Sequence, residues 1–141
     1  MTHDEIREFF SAQERDWCAR DPQKLARGHA EDGVLISPIF RTVSGRPAIQ
    51  SSYVALFDIF PDWDYRAERV LIDGTGVAES FHVSATHVGE FMGLPGSGRR
   101  FEFDGMRLFE MKDGLIGHER RYYDFTGLLI QLGVLRSKPW C

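Results

Sequence analysis

Cysteine is scarce in this chain: Cys18 and Cys141 are the two present in 141 residues. Two cysteines so far apart make neither a disulfide framework nor a metal-ligand spacing. Cys141, the last residue, is expected at a mobile end. Positive charge is in deficit, with 17 Lys and Arg against 21 Asp and Glu and a net charge of −4. That balance removes the electrostatic footprint of a nucleic-acid binder. The local pairs Arg99-Arg100 and Arg120-Arg121 suit solvation or ion pairing. No apolar run approaches the ~20 residues a membrane span needs. The opening Met1-Thr2-His3-Asp4-Glu5 is acidic, so neither a membrane anchor nor a secretory leader is expected. A reduced, cytoplasmic protein is the resulting expectation. A nucleophile elbow, a phosphate loop and a metal-ligand set are also missing. The glycines of 93–98 follow a strand pattern but open no helix, and no metal site is expected.

What is present suits one domain over residues 1–141, long enough to bury a real core. The hydrophobic fraction is 43% and Phe alone contributes 11 residues, bulky filler for a cone or barrel. Thr2 with Glu5 makes a capping box, and Ile6, Phe9, Phe10, Gln13 and Trp17 recur at helical spacing, so 3–19 reads as an amphipathic helix. Asp21-Pro22 opens a shorter helix to about His29, where the histidine would complement the helix dipole. Glu31-Asp32-Gly33 reads as a turn and Val34–Ser37 as a short strand, with Pro38 at its edge. Gly45-Arg46-Pro47 opens a third helix with the stripe Ile49, Tyr53, Leu56, Phe57 and Phe60, stopped by Pro61. Strands follow at Tyr65–Ile72 and Val77–Phe91. The loop Gly93–Gly98 is mobile by composition, a candidate rim or lid. Helices first and antiparallel strands afterwards predict an α+β fold, with helices on one face of a curved sheet.

The stretch Phe101 to Gly133 carries the chemistry. Asp113-Gly114 between two strand-like runs is a strong hairpin signal. With Lys112 facing Leu115, outward counting pairs Met111 with Ile116, Phe109 with His118, Arg107 with Arg120, Gly105 with Tyr122 and Phe103 with Asp124. These side chains share one face, apolar near the turn and ionisable further on, like the wall of a polar-floored pocket. A bulge at Gly105 would shift the register beyond it. Residues 126–133 form a short helix ending in Gly. On plain alternation Val77, Glu79, Phe81, Val83, Ala85 and His87 share a face, and His82 takes the other.

Four stretches give the chain a family likeness: Gly45-Arg46-Pro47-Ala48-Ile49; Phe60-Pro61-Asp62; Thr86-His87-Val88-Gly89-Glu90-Phe91 leading to Gly93; and Tyr123-Asp124 with Gly127-Leu128-Leu129 and Gln131-Leu132-Gly133. In this order they resemble the SnoaL-like polyketide cyclase family of the nuclear transport factor 2-like superfamily, the last being the most specific. The resemblance implies a cone-shaped α+β fold. Three N-terminal helices pack on a strongly curved mixed, mostly antiparallel sheet, with a short C-terminal helix and a pocket between. It also implies a homodimer through the sheet's outer face, and cofactor-independent chemistry on a small apolar oxygenated molecule. In the family's cyclases an Asp near the end of the last strand is the general acid/base, and Asp124 matches it. Limonene epoxide hydrolases of the superfamily use an Asp–Arg–Asp arrangement. Arg107 or Arg120 with Asp124 would supply part of it here, with Asp104 as the nearby second acid, although the register turns Asp104 to the opposite face. Ketosteroid isomerase needs an acid after the second helix, and Val34–Ile39 holds no carboxylate.

Asp124 therefore has two readings, a base at the pocket floor and a cap on the terminal helix. Arg120 facing Arg107 is unfavourable without an anion between them. Asp124, Glu79 or a ligand could be that anion. Tyr122 could donate to a developing enolate or simply pack with a wet tip. His87 is either a hydrogen-bonded strand histidine or an orienting group. His118, opposite Phe109, would fill core. Catalysis is thus expected from Asp124, Arg120, His87 and Tyr122, and substrate contact from Arg107, Trp17, Tyr53, Phe57, Trp63 and Phe103. The reaction class is an aldol-type cyclisation, isomerisation or hydrolysis. A non-catalytic binding protein using the same pocket is the alternative.

Overall fold

The computed structural model describes residues 1–136 and 138. Helix α1 (His3–Ala19) starts on the expected capping box: Thr2 accepts from the Glu5 backbone, and the Glu5 side chain accepts from the Thr2 backbone. It buries Ile6, Phe10, Gln13 and Trp17. Asp21 caps the short α2 (Pro22–Arg27), and β1 (His29–Ser37) follows. The antiparallel β2 (Arg41–Ser44) was not legible, because Arg-Thr-Val-Ser carries little apolar contrast. Gly45, at φ +88°, opens α3 (Arg46–Ile59). Strands β3 (Asp64–Asp73), β4 (Gly76–Thr86), β5 (Arg100–Lys112) and β6 (Leu115–Tyr123) lead to α4 (Phe125–Gln131). Among the described residues the sheet has six strands in the order β2-β1-β6-β5-β4-β3. All neighbours are antiparallel except β1 and β6. The α+β reading holds.

Helices α1 and α3 lie against the inner face, over Leu35, Phe81, Val83, Ala85, Phe101 and Phe103. A second cluster, Ile6, Phe10, Val77, Phe109, Met111 and Ile116, fills the end near the β5–β6 turn. The face predicted for β4 is the buried one, from Val77 to His87. Strand β4 ends at Thr86, short of the expected Phe91. Beyond it the chain doubles back: His87 N–H donates to the Arg99 carbonyl at 2.9 Å and Gly98 N–H to the His87 carbonyl at 2.9 Å. Gly96 lies on Val88 so closely that a Cβ there would stand 1.9 Å from the Val88 oxygen. The segment expected as a mobile rim is therefore held against His87 and Val88, just past β4. Cys141 lies outside the described residues.

The register of β5 and β6 starts as predicted, with Lys112 opposite Leu115 and Met111 opposite Ile116, and then slips: Glu110 faces His118 and Arg107 faces Arg121. Gly117 is the extra residue of a β-bulge. A Cβ there would meet the Cβ of Lys112 at 3.0 Å. One inserted residue exchanges the two faces of everything beyond it. Glu119, Arg121 and Tyr123 turn inward in place of His118, Arg120 and Tyr122. Gly105, where the bulge was expected, pairs regularly. Its lack of a side chain serves space, since a Cβ would stand 2.6 Å from the Phe81 ring and 2.8 Å from the Tyr122 oxygen.

Candidate functional site

The inward face of the cone carries a buried ionic cluster. Arg107, 1% exposed, reaches from β5 into four partners. It donates to Glu79 Oε1 at 2.7 Å, Glu119 Oε2 at 3.2 Å, Gln13 Oε1 at 2.8 Å and Tyr65 Oη at 2.9 Å. Tyr65 in turn donates to Glu79. Arg121 Nε donates to Glu119 Oε2 at 2.7 Å, so Glu119 lies between the two guanidinium groups. This is the anion that two facing arginines require. His29 Nε2 lies 2.9 Å from the Tyr53 hydroxyl and 3.8 Å from Glu119 Oε1. Burial pulls the His29 pKa down to about 4 against the opposing pull of Glu119. Burial favours the neutral form of Glu119, but Arg121, Arg107 and His29 outweigh it and hold the carboxyl at about 2. Two arginines, two carboxylates and a neutral His29 leave the cluster balanced in charge.

Above this floor is a small hollow. Trp17, Tyr65, Arg107 and Arg121 line its inner side, and Trp63 and Phe103 another. Aromatic side chains leave about 10 Å³ open within it, roughly the space one water needs. Ser37, Arg121 and Tyr123 border it and also a wider outer groove of about 900 Å³ with Pro38, Thr42 and Phe125. Three buried N–H groups on the lining residues have no protein partner: Trp17 Nε1, Trp63 Nε1 and Arg121 Nη2. The unpartnered acceptor Glu119 Oε1 is not on a lining residue. Among the described residues, the lining carries spare donors and no buried spare acceptor.

Of the residues expected to contact substrate, Trp17, Trp63, Phe103 and Arg107 border the hollow. Tyr53 and Phe57 pack edge-on behind Trp17 instead, with ring centroids 5.3 and 6.0 Å away. Of those expected to do chemistry, none borders it. Arg120 and Tyr122 are on the outer face, where both line the outer groove, with the guanidinium 5.2 Å from the Tyr122 ring. The Gly117 bulge put them there. The Asp124 side chain is exposed and accepts from Gly127 N–H at 2.9 Å, as the N-cap of α4. Tyr123, and not Asp124, lies against Phe103, stacked at 4.4 Å. His87 is buried, but its Nδ1 is held by Ser97 Oγ at 2.8 Å and its ring packs on Phe60 and Phe91. His118 is exposed rather than core. His29, expected at a helix end, opens β1 and joins the ionic cluster. Asp104 is on the outer face, as the register had it, hydrogen-bonded to His82 at 2.8 Å. A second bulge, at Glu68, brings Glu68, His82 and Asp104 together with ligand atoms within 4.8 Å of one another.

The SnoaL-like polyketide cyclase family model matches residues 8–132. The chain belongs to that family. Curated relatives match over parts of their length. A nogalonic acid methyl ester cyclase of Streptomyces nogalater is 36% identical over 77 residues, 53% of this chain and 54% of the relative. The aklanonic acid methyl ester cyclase DnrD of Streptomyces peucetius is 34% identical over 68 residues, 48% of this chain and 44% of the relative. The chain thus matches about half the length of these curated relatives. Among solved structures, AclR from Streptomyces galilaeus, described as a putative hydroxylase, superposes with a TM-score of 0.83 over 98% of this chain and 91% of its own, at 23% identity. TsrD from Streptomyces laurentii superposes with the same TM-score over 96% and 99%, at 21% identity. These neighbours share the cone-shaped α+β fold of this chain. Among the described residues no helix is long and apolar enough to cross a membrane.

Proposed function

We propose that this SnoaL-like chain is a cofactor-independent enzyme that closes a ring in a small, apolar, oxygenated polyketide-type substrate. It does so by gripping a carbonyl oxygen that becomes an enolate. The observation that carries this reading is the set of buried, unpartnered donors on Trp17, Trp63 and Arg121 around one hollow. An unpartnered buried donor is costly, and a ligand oxygen would meet that cost. The open space is near the size of one oxygen atom, so the carbonyl oxygen would enter it with the α-carbon at its mouth, and the rest of the molecule would lie in the outer groove beside Pro38 and Phe125. Donors held in a dry site and aimed where charge develops are a large source of catalysis. Holding both reacting carbons in one groove supplies much of the remainder. The relatives named for methyl esters make an ester-bearing ketone the substrate class to try first.

The test is calorimetric binding of an aryl β-keto ester, ethyl benzoylacetate. Trp63→Phe keeps a ring and removes one donor, and should weaken binding about 3- to 10-fold, in line with one lost hydrogen bond. Arg121→Lys should weaken it more than tenfold. Equal affinity in both variants overturns the reading. Asp124 has no part in it: Asn caps a helix as well as Asp, so Asp124→Asn should leave turnover within about twofold. A large loss of turnover would restore the acid/base role that the family resemblance assigns.

The exposed position of Asp124 also favours a second reading, a binding protein that uses the same hollow without chemistry. Tight binding of the ester with no turnover would select it. The outer face of the sheet leaves Leu71, Met106, Leu108 and Tyr122 exposed, which supports pairing with a second copy through that face. Met106→Lys with Leu108→Lys should then convert a dimer to a monomer in light scattering. An unchanged mass would remove that pairing.

A further inference from the structure

Taking a proton from carbon requires an acceptor, and no carboxylate borders the hollow among the described residues. One bordering group is coupled to a carboxylate through its own proton. Tyr65 lies between Trp17 and Phe81, stacked at 4.8 and 5.0 Å. Its hydroxyl donates to Glu79 and accepts from Arg107 Nε at 2.9 Å. A phenol oxygen has two lone pairs, so one is left to receive a proton from the hollow. The Glu79 side chain is 2% exposed. It nevertheless borders a second opening on the far side, a groove of about 500 Å³ between α1 and β3 beside Ser11, Glu14 and Val70. Tyr65 and Glu79 together therefore run from the hollow to an open groove.

We propose that Tyr65 and Glu79 form a proton path out of the hollow, with Tyr65 the catalytic residue that meets the substrate and Glu79 the terminal acceptor behind it. The inference rests on the enolate reading of the site. In the step, the bond from the substrate α-carbon to hydrogen breaks and its electron pair moves onto the carbonyl oxygen, held by Arg121. The proton forms a bond to the Tyr65 oxygen as the Tyr65 proton passes to Glu79. Protonated Glu79 then gives its proton to water in the groove. The charge inside is conserved while the proton stays on Glu79: one carboxylate is lost and one enolate is formed. Arg107, which donates to both Tyr65 and Glu79, is a positioning residue for the pair.

The experiment measures α-hydrogen exchange of ethyl 2-methylacetoacetate in D₂O by NMR, with affinity for the same ester measured by calorimetry. The intact protein should speed exchange. Tyr65→Phe keeps the stacked ring and should lower the exchange rate about 100-fold, in the range of one general acid–base group, with affinity within threefold. Glu79→Gln should lose exchange similarly, and Glu79→Asp should recover part of it. A merely structural role would not produce that ordering at constant affinity. Circular dichroism selects the folded variants, and Tyr65→Phe alone suffices if Glu79→Gln fails to fold. Exchange at the intact rate in folded Tyr65→Phe overturns the proton path. Binding without exchange by the intact protein overturns it too and leaves the binding reading standing. An intact protein that does not bind the ester removes the enolate reading itself.

Discussion

Arg107→Met should cost about 3–5 kcal/mol of folding stability, whereas Arg120→Met should stay within about 0.5 kcal/mol. Urea unfolding at pH 7 measures both. The two side chains share a charge and were expected to face each other across one hairpin. Arg107 is 1% exposed between Glu79 and Glu119. Its loss strands the Glu79 carboxylate and leaves Gln13 and Tyr65 without their donor. A methionine of similar length fills the space beside Trp17 and Phe109 but offers no proton. With a total stability of about 5–15 kcal/mol for a typical domain, such a loss puts the variant near the edge of folding. Arg120 stands in solvent against Tyr122, and its removal strands nothing. Glu79→Gln on top of Arg107→Met should recover part of the loss, because it removes the stranded charge. Equal costs for the two arginines would mean that β6 keeps the unbulged register.

The reasons that one arginine was legible and the other was not are local. Phe101, Phe103, Phe109 and Met111 alternate with Glu102, Asp104, Glu110 and Lys112, so apolar contrast fixes the phase of β5 and turns Arg107 inward with it. From His118 to Asp124 every residue is charged, polar or an aromatic with a polar tip. Alternation has no contrast to act on there, so phase had to be carried across from the turn. One extra residue then exchanges the faces, and Gly105 and Gly117 are both glycines inside a strand pattern, a signal of a bulge or of close backbone approach alike. Gly105 is the close approach, to the Phe81 ring, and Gly117 is the bulge. The difference depends on β4, which local sequence does not place. The inward set on β6 moved by one residue, and with it the assignment of Arg120 and Tyr122.

The same distinction separates the rest. The capping box at Thr2, the Asp21 cap, the α3 stripe and the β4 face are written in residues a few positions apart, and each is observed. The Asp124 cap is local too, and it is observed. His29 is different. Ending a helix and opening a strand look alike at a histidine that follows Gly28, and only β6, paired in parallel with β1, gives it Glu119 as a neighbour. Trp17, Trp63 and Arg107 were legible as inward residues. That the spare N–H groups of Trp17, Trp63 and Arg121 belong to residues lining one hollow depends on elements far apart in sequence.

The chain should lose stability progressively as the pH falls from 6.5 to about 2, in two windows that His29 and Glu119 separate. Above pH 6.5 His29 is neutral whether the chain is folded or not. Below it the unfolded chain takes up a proton. The folded chain refuses that proton until about pH 4, because burial outweighs Glu119, and Arg121, Arg107 and Arg46 add their repulsion. Stability present above pH 6.5 is therefore lost between 6.5 and about 4, roughly 3 kcal/mol from this group alone at 1.36 kcal/mol per unit of pKa difference. Glu119 carries the loss further. Its carboxyl takes a proton near 4.5 when unfolded but only near 2 when folded, so its contribution is present above 4.5 and lost as the pH falls to about 2. His29→Gln keeps a polar side chain near Tyr53 and removes the titration. Its stability should change little between pH 7 and 5, while the parent loses about 1–2 kcal/mol over the same interval. Urea midpoints at pH 7, 6 and 5 resolve the two. Parallel curves for parent and His29→Gln would mean that His29 is accessible to protons in the folded state, and the closed ionic floor beneath the hollow would have to be redrawn.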